Sequence, residues 1–248
     1  MTAKTASRAA ARKRPPPTRR GRPARHAAPA VDMREHILDH AEALFARHGQ
    51  HGVTVREVAR SAHVDPALVH YYFETKLGLF DAVFMRRAEV LNVERMRSMD
   101  NYARVAGDAI TVEGCVEAFL EPIVRRSLRG ERGWKNYFRL VALVNNTPDW
   151  GGEMMTRFFD PVIRRLVDLL RQCMPQARDE DLFWSYHFLS GALTLSFSET
   201  GRVDRLSGGR CVSTDIDGLY RRMVPFIAAG FRRVCEPDGA APSSQHGR

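Results

Sequence analysis

Cysteine is scarce and unpatterned. Cys115, Cys173, Cys211 and Cys235 are scattered over 248 positions without a CxxC pair, which excludes a disulfide scaffold and a thiolate zinc ribbon. No apolar run reaches the roughly 20 residues that a membrane-spanning helix needs. The basic N-terminal stretch is followed by no contiguous apolar core of the secretory kind, and its prolines oppose an amphipathic targeting helix. A soluble protein of a reducing, cytoplasmic compartment is therefore expected, with no membrane partner. Also missing are strand alternation, internal repeats, a Gly-rich phosphate loop, GxSxG and any Ser-His-acid cluster. The expected fold is all-α, with no catalytic residue, metal or cofactor. Asp181 and His187 come nearest to an acid and base on one helix, but a histidine among aromatics is more often a hydrogen-bonded core or pocket residue.

Acidic residues are absent from the first thirty positions. Lys4, Arg8, Arg12, Lys13, Arg14, Arg19, Arg20, Arg22 and Arg25 stand there around a PPP run, and these nine cations equal the whole formal excess of +9. With almost nothing large and apolar, residues 1–31 cannot offset chain entropy and are expected to be a disordered basic arm, as is a short tail at 237–248. The arm either follows DNA phosphates through counterion release or is a plain leader. The whole chain is 44% hydrophobic, so the remainder has ample material for a core.

The stretch TVREVARSAHVDPALVHYYFETK, residues 54–76, carries the most information. Thr54 with Glu57 forms a capping box, and Val55, Val58, Ala59 and Ala62 then fall on one helical face, leaving Arg56 and Arg60 off it. Asp65 followed by Pro66 restarts a helix as N-cap and first helical residue. Val69 and Phe73 face inward, so Pro66, Ala67, His70 and Tyr71 face solvent. Two short capped helices of this kind suit a helix-turn-helix, whose second helix enters the DNA major groove, although many all-α domains contain the same arrangement.

The surrounding residues are more specific. From Ile37 to Phe84 the pattern IL-x-x-A-x-x-LF-x-x-x-G, then TV-x-x-VA-x-x-A-x-V, then YYF-x-TK-x-x-LF, resembles the DNA-binding head of the TetR family of bacterial repressors. The resemblance implies contacts from Thr54, Val55, Arg56, Pro66, Ala67, Leu68, His70, Tyr71, Tyr72 and Lys76. Arg56 and the exposed residues of the second helix would read bases, and Thr54, Tyr72 and Lys76 would hold phosphates. Three positions depart from the family pattern: His63 where a turn glycine is usual, Asp65 where serine is common, and His70 where a phosphate-binding tyrosine is usual. The turn must then avoid the left-handed region or accept histidine there at a cost. The head also holds five basic residues against seven acidic ones between positions 31 and 80, an unusual balance for a DNA reader.

Ile37, Ala41, Leu44 and Phe45 mark a first helix from Met33 to His48, ended by Gly49. His36, His40, His48 and His51 nearby are expected to be solvated. After Lys76 the apolar stripe Leu79, Phe80, Val83, Phe84, Ala88 and Leu91 predicts a connector helix of about six turns, and 98–112 reads as a weakly structured link. Pro122 and Pro161 are expected to kink or break the helices around them. Residues 201–211 read as a loop, and Asp215 to Val234 as the last helix. The domains expected are the arm (1–31), a three-helix head (32–80), a larger helical-bundle body for ligand and dimerisation (81–236) and the tail (237–248).

Phe119, Trp134, Tyr137, Phe138, Trp150, Met154, Met155, Phe158, Phe183, Trp184 and His187 would either line an apolar ligand cavity or form plain core. TetR resemblance implies a small apolar effector. The segments RLVALVNNTP, FFDPVIRRL, FLSGALTLSF and GRVDRLSGG loosely resemble the family branch that responds to long-chain fatty acids, which implies a lipid-like acid paired by Arg125, Arg126 or Arg139. Ser190, Gly191 and Ala192 permit close helix approach, and Ile216, Leu219, Tyr220, Met223, Phe226 and Ile227 form an apolar stripe. These two faces either build a four-helix homodimer interface or close the monomer core. The expectation is a homodimeric repressor on a palindromic double-stranded DNA operator, released by effector. The alternatives are a non-specific DNA-coating protein and a helical small-molecule-binding protein or enzyme with a relic head.

Overall fold

The structure, a computed structural model, describes residues 32–129, 132–148 and 151–236. The basic arm, the C-terminal tail and Trp150 lie outside them. No strand occurs among the described residues, and no described helix is long and apolar enough to cross a membrane.

The first helix, α1 (Met33–His48), buries Ile37, Leu38, Ala41 and Phe45, and Gly49 at φ +71° turns the chain out of it. Next come α2 (Val55–Ala62) and α3 (Pro66–Phe73), each started by the predicted cap. The connector α4 (Lys76–Ala106) has 31 residues, far more than the six turns expected, and absorbs most of the segment read as a weak link. Its buried stripe continues past Leu91 through Arg95 to Met99. A single 3₁₀ turn (Gly107–Ala109) then leads into α5 (Val112–Leu128). Tyr102 closes this junction, its hydroxyl accepting from the Thr111 N–H at 2.9 Å.

The body continues with α6 (Arg132–Asn145), α7 (Gly151–Cys173), α8 (Asp179–Phe197), the short α9 (Arg202–Leu206) and α10 (Ile216–Cys235). Here α9 interrupts the segment expected to be a loop. Helices α5 and α7 run through Pro122 and Pro161 without ending. Near Pro161, Asn92 Nδ2 of α4 donates to the Phe158 carbonyl at 2.7 Å, next to the Arg157 carbonyl that the proline leaves without its helical donor.

One apolar core runs from Ile37 through Phe231. Helix α1 packs on α2, α4 and α6, while α4 packs on α5 and α7. The junction between α1, α4 and α6 is ionic as well as apolar. Glu42, 3% exposed, accepts from Arg86 Nη2 at 2.7 Å and Arg87 Nε at 2.6 Å, and Arg86 also reaches Glu35 and Asp39. A Cβ at Gly133 would lie 1.8 Å from Arg87 Nη2, so a larger residue there would push the Arg87 side chain off its place beside Glu42.

Candidate nucleic-acid interface and body cavity

The predicted turn is present in detail. Thr54 Oγ1 accepts from the Glu57 N–H at 3.2 Å and Glu57 Oε2 accepts from the Thr54 N–H at 2.7 Å, completing the capping box. At the other end of α2, His63 takes the left-handed conformation, φ 55° and ψ 42°. Its N–H reaches the Arg60 carbonyl, and the Val64 N–H reaches that of Ala59 at 3.0 Å, the paired pattern of a Schellman ending. Of the two possibilities for this turn, the chain therefore accepts histidine where glycine would be free of strain. Asp65 Oδ1 then caps α3 by accepting from the Ala67 N–H at 2.7 Å.

On the outer face of α3, Pro66, Ala67, His70 and Tyr71 are exposed, Tyr71 by 79%. Tyr72 lies beside it with its ring edge-on at 5.3 Å. Leu68 and Val55 are half-buried against the core. Thr54 and Arg56 are exposed at the start of α2, and Lys76 sits in the first turn of α4, whose N-cap is Thr75. His70 is held by its own helix end: Nδ1 lies 3.0 Å from the Glu74 carbonyl. A carbonyl only accepts, so Nδ1 carries the proton and Nε2 is left for an outside partner.

The head's acidic balance is largely internal. Glu35, Asp39 and Glu42 are held by Arg86 and Arg87, while Glu57 and Asp65 are occupied as caps. Of the four histidines expected to be solvated, His48 and His51 are exposed, but His36 and His40 are engaged. His36 Nε2 meets the Ala62 carbonyl at 2.9 Å and His40 Nδ1 meets Ser61 Oγ at 2.8 Å, so α1 grips the end of α2 through two side chains. No group of three or more metal-binding side chains occurs among the described residues.

In the body a cavity of about 50 Å³ lies between α4, α5, α6, α7 and α8. Of the residues expected to meet a ligand, Phe119, Tyr137, Phe138 and Met155 line it. Phe183 and His187 line a neighbouring cleft of about 340 Å³ that shares Met155, Phe159, Tyr186 and Ser190 with the cavity. Trp134 and Met154 are buried elsewhere, Trp134 under Arg126 and Arg87 at 4.7 and 5.4 Å from its centroid. Phe158 packs against Phe84, and Trp184 is 53% exposed. The three arginines expected to pair an acid do not line the cavity: Arg125 and Arg126 are on Glu94, and Arg139 is exposed. The arginine that does line it, Arg95, was missed. It continues the buried stripe of α4 four residues beyond Leu91, inside the expected helix, but its charge kept it out of the apolar stripe read from the sequence.

Two family models match the chain. One, described as bacterial regulatory proteins of the tetR family, spans residues 37–83, and the other, the tetracyclin repressor-like C-terminal domain, spans 117–230. The chain belongs to the TetR family. A probable HTH-type transcriptional regulator, YttP of Bacillus subtilis (strain 168), is 41% identical over 51 residues, which are 21% of this chain and a quarter of that relative's length. Among solved structures, the fatty acid degradation regulator FadR of Bacillus halodurans aligns with TM-score 0.55 and 16% identity, over 81% of this chain and 97% of that one. A transcriptional regulator of Pseudomonas aeruginosa PAO1 aligns with TM-score 0.55 and 18% identity, over 81% and 93%. At these identities the structures speak for the fold alone. The TetR head model covers α1 through the start of α4, so Arg56, α3 and Lys76 all fall within or at the matched segment.

Proposed function

We propose that this TetR-family regulator acts as a repressor, a homodimer whose two heads (residues 32–80) bind the half-sites of a palindromic operator and let go when an apolar effector enters the body (81–236). The observation that carries the reading is the outer face of α3. A helix of eight residues, fixed at its start by Asp65, leaves Pro66, Ala67, His70 and Tyr71 uncovered, and such a helix offers base edges a rigid reader. Arg56, in the first turn of α2, is exposed and without an ion-pair partner among the described residues, free to fork onto a guanine.

A single short helix reads too few base pairs for specificity, so a second copy is needed. On α8, Trp184, Phe188, Gly191 and Leu195 are exposed at successive turns, and on α10 Phe226, Gly230 and Val234 are. A Cβ at Gly191 or Gly230 would meet nothing. Packed about a two-fold axis, these seams would form a four-helix interface, while Ile216, Met223 and Ile227 of the same α10 are buried in their own chain.

The test is selection of bound sequences from random duplex DNA. The expected product is a palindrome with half-sites about one helical turn apart. Arg56→Ala should relax the choice at one base pair per half-site, a loss of about 1–3 kcal/mol of discrimination. Enrichment of no sequence, or an Arg56→Ala protein with unaltered preference, would overturn this assignment.

A further inference from the structure

Arg95 has no reason to be where it is if the protein works alone. Its side chain is 6% exposed, and among the described residues it has no ion-pair or hydrogen-bond partner. The Phe119 ring lies under its guanidinium at 4.4 Å, too weak a contact to balance burying a full charge. A second polar atom is stranded beside it: the hydroxyl of Tyr137, fully buried, has no hydrogen-bond partner among the described residues. Both side chains line the same cavity, with the hydroxyl-bearing residues Tyr186, Ser190 and Thr194 on its α8 wall. Buried polar groups are nearly always satisfied. Two unsatisfied groups converging on one hollow, one cationic and one able to donate, describe a receptor for a small anion.

Charge and size narrow its chemistry. No carboxylate lines the cavity, so one positive charge is on offer and a monoanion balances it, whereas a dianion would leave a net charge buried. At about 50 Å³ the hollow holds only a few waters, each needing roughly 10–15 Å³, which suits a carboxylate head and little more. The body of such a molecule has somewhere to go, because Met155, Phe159, Tyr186 and Ser190 also border the 340 Å³ cleft, which offers Ile163 and Phe183 as apolar wall and in which the one carboxylate, Asp160, is already paired with Arg164.

We infer that Arg95 is the effector-binding anchor and that the effector is a monocarboxylic acid with an apolar body, its carboxylate on the Arg95 guanidinium and the Tyr137 hydroxyl, its body directed into the adjoining cleft. The inference rests on the effector-responsive reading above and gives its ligand a class. The carboxylate would take the bidentate fork of Arg95 while Tyr137 donates to the same oxygens. Arg95 is thus a charge buried for a partner that arrives from outside.

The experiment is calorimetric titration of the full-length protein, without DNA, with butanoate through tetradecanoate, benzoate and phenylacetate, each against its primary amide and alcohol. At least one acid should bind about 30-fold or more tighter than its amide, the scale of a buried charge pair losing one partner. Arg95→Met should abolish that preference, and Tyr137→Phe should weaken it. The ligand-free Arg95→Met protein should melt no lower than wild type, because an unpaired buried charge has been removed, and this reading separates a binding role from a structural one. The inference fails if acids and amides bind alike, if no acid in the series binds below about 1 mM, or if Arg95→Met lowers the melting temperature. If acids bind through Arg95 yet leave operator affinity unchanged, the anchor stands and the repressor reading fails.

Discussion

Glu42 is the buried carboxylate of the ionic junction, and removing it gives a sharp test of how α1, α4 and α6 are held. In Glu42→Ala, Arg87 Nε loses its 2.6 Å acceptor and Arg86 Nη2 its 2.7 Å acceptor. Arg86 keeps Glu35 and Asp39, whereas Arg87 keeps only its position over Trp134. A buried ion pair that loses one partner costs about 3–5 kcal/mol, and no large solvent discount applies to a residue 3% exposed. At roughly 2–4 °C per kcal/mol for a chain of this size, the melting temperature should fall by about 6–20 °C. The double variant Glu42→Ala/Arg87→Met removes both charges and should recover a large part of the loss, because the penalty lies in the stranded guanidinium. Thermal and urea unfolding of the four proteins in the cycle measure this. A single variant within about 0.5 kcal/mol of wild type, or a double variant whose losses simply add, would refute the argument.

Three further outcomes are expected. Deleting residues 1–30 should flatten the slope of log K against log salt for operator binding while keeping the selected sequence, since the nine cations there match the chain's net excess; an unchanged slope leaves the arm without a role on DNA. His63→Gly should stabilise the head by up to about 1.6 kcal/mol, left-handed strain of about 1–2 kcal/mol being offset by about 0.4–1 kcal/mol of unfolded-state entropy, whereas the β-branched His63→Val should destabilise it; equal stability of all three proteins would exclude strain at this turn. Burial alone would raise Glu94, but hydrogen bonds and charge from Arg126 bring it below the ordinary glutamate value, and the hydrogen bond from Arg232 does the same for Glu113. A carboxylate with a depressed folded-state pKa stabilises the fold fully above its unfolded pKa and loses that contribution as pH falls through the folded one, so the urea midpoint should drop below about pH 4; a level midpoint down to about pH 3 would contradict this.

The caps were legible because they are local. Thr54 with Glu57, and Asp65 with Pro66, act within three residues of one another, and the structure shows the bonds their spacing implies. What sequence reading missed depended on distant partners. His36 and His40 reach residues 26 and 21 positions away, so no helical period could show that they are engaged. Asn101, Gly107 and Thr111 made 98–112 read as a weak link, yet packing on α5 and the Tyr102 bond to Thr111 carry α4 to Ala106. Arg95 lay inside the expected helix, one step beyond Leu91 on the stripe that goes on to Met99. A charge at such a step gives no sign of burial when the partner that explains it is absent from the sequence.

Helix α4 joins the two halves of the proposed mechanism. It begins at Lys76, directly after the α3 reader, and carries Arg95 nineteen residues on, which is about 28 Å along a straight helix. The ionic junction of Arg86 and Arg87 with Glu42 lies between them. In the proposal, a ligand that engages Arg95 also touches α5, α6, α7 and α8 through the shared cavity wall, and so can shift α4 against them. Such a shift moves the head only if the ligand binds the shifted arrangement more tightly than the DNA-bound one. Moving the heads from 99% to 1% engaged needs a preference of about 10⁴-fold, more than the effect of a typical single buried charge pair. The carboxylate contact would therefore supply part of the preference, and the apolar body in the adjoining cleft the rest. Release should accordingly depend on chain length among acids that all engage Arg95, and operator binding assayed across butanoate to tetradecanoate should show short acids that bind without releasing DNA. A release curve that follows occupancy alone, at every length, would place the whole preference at Arg95 and contradict this division.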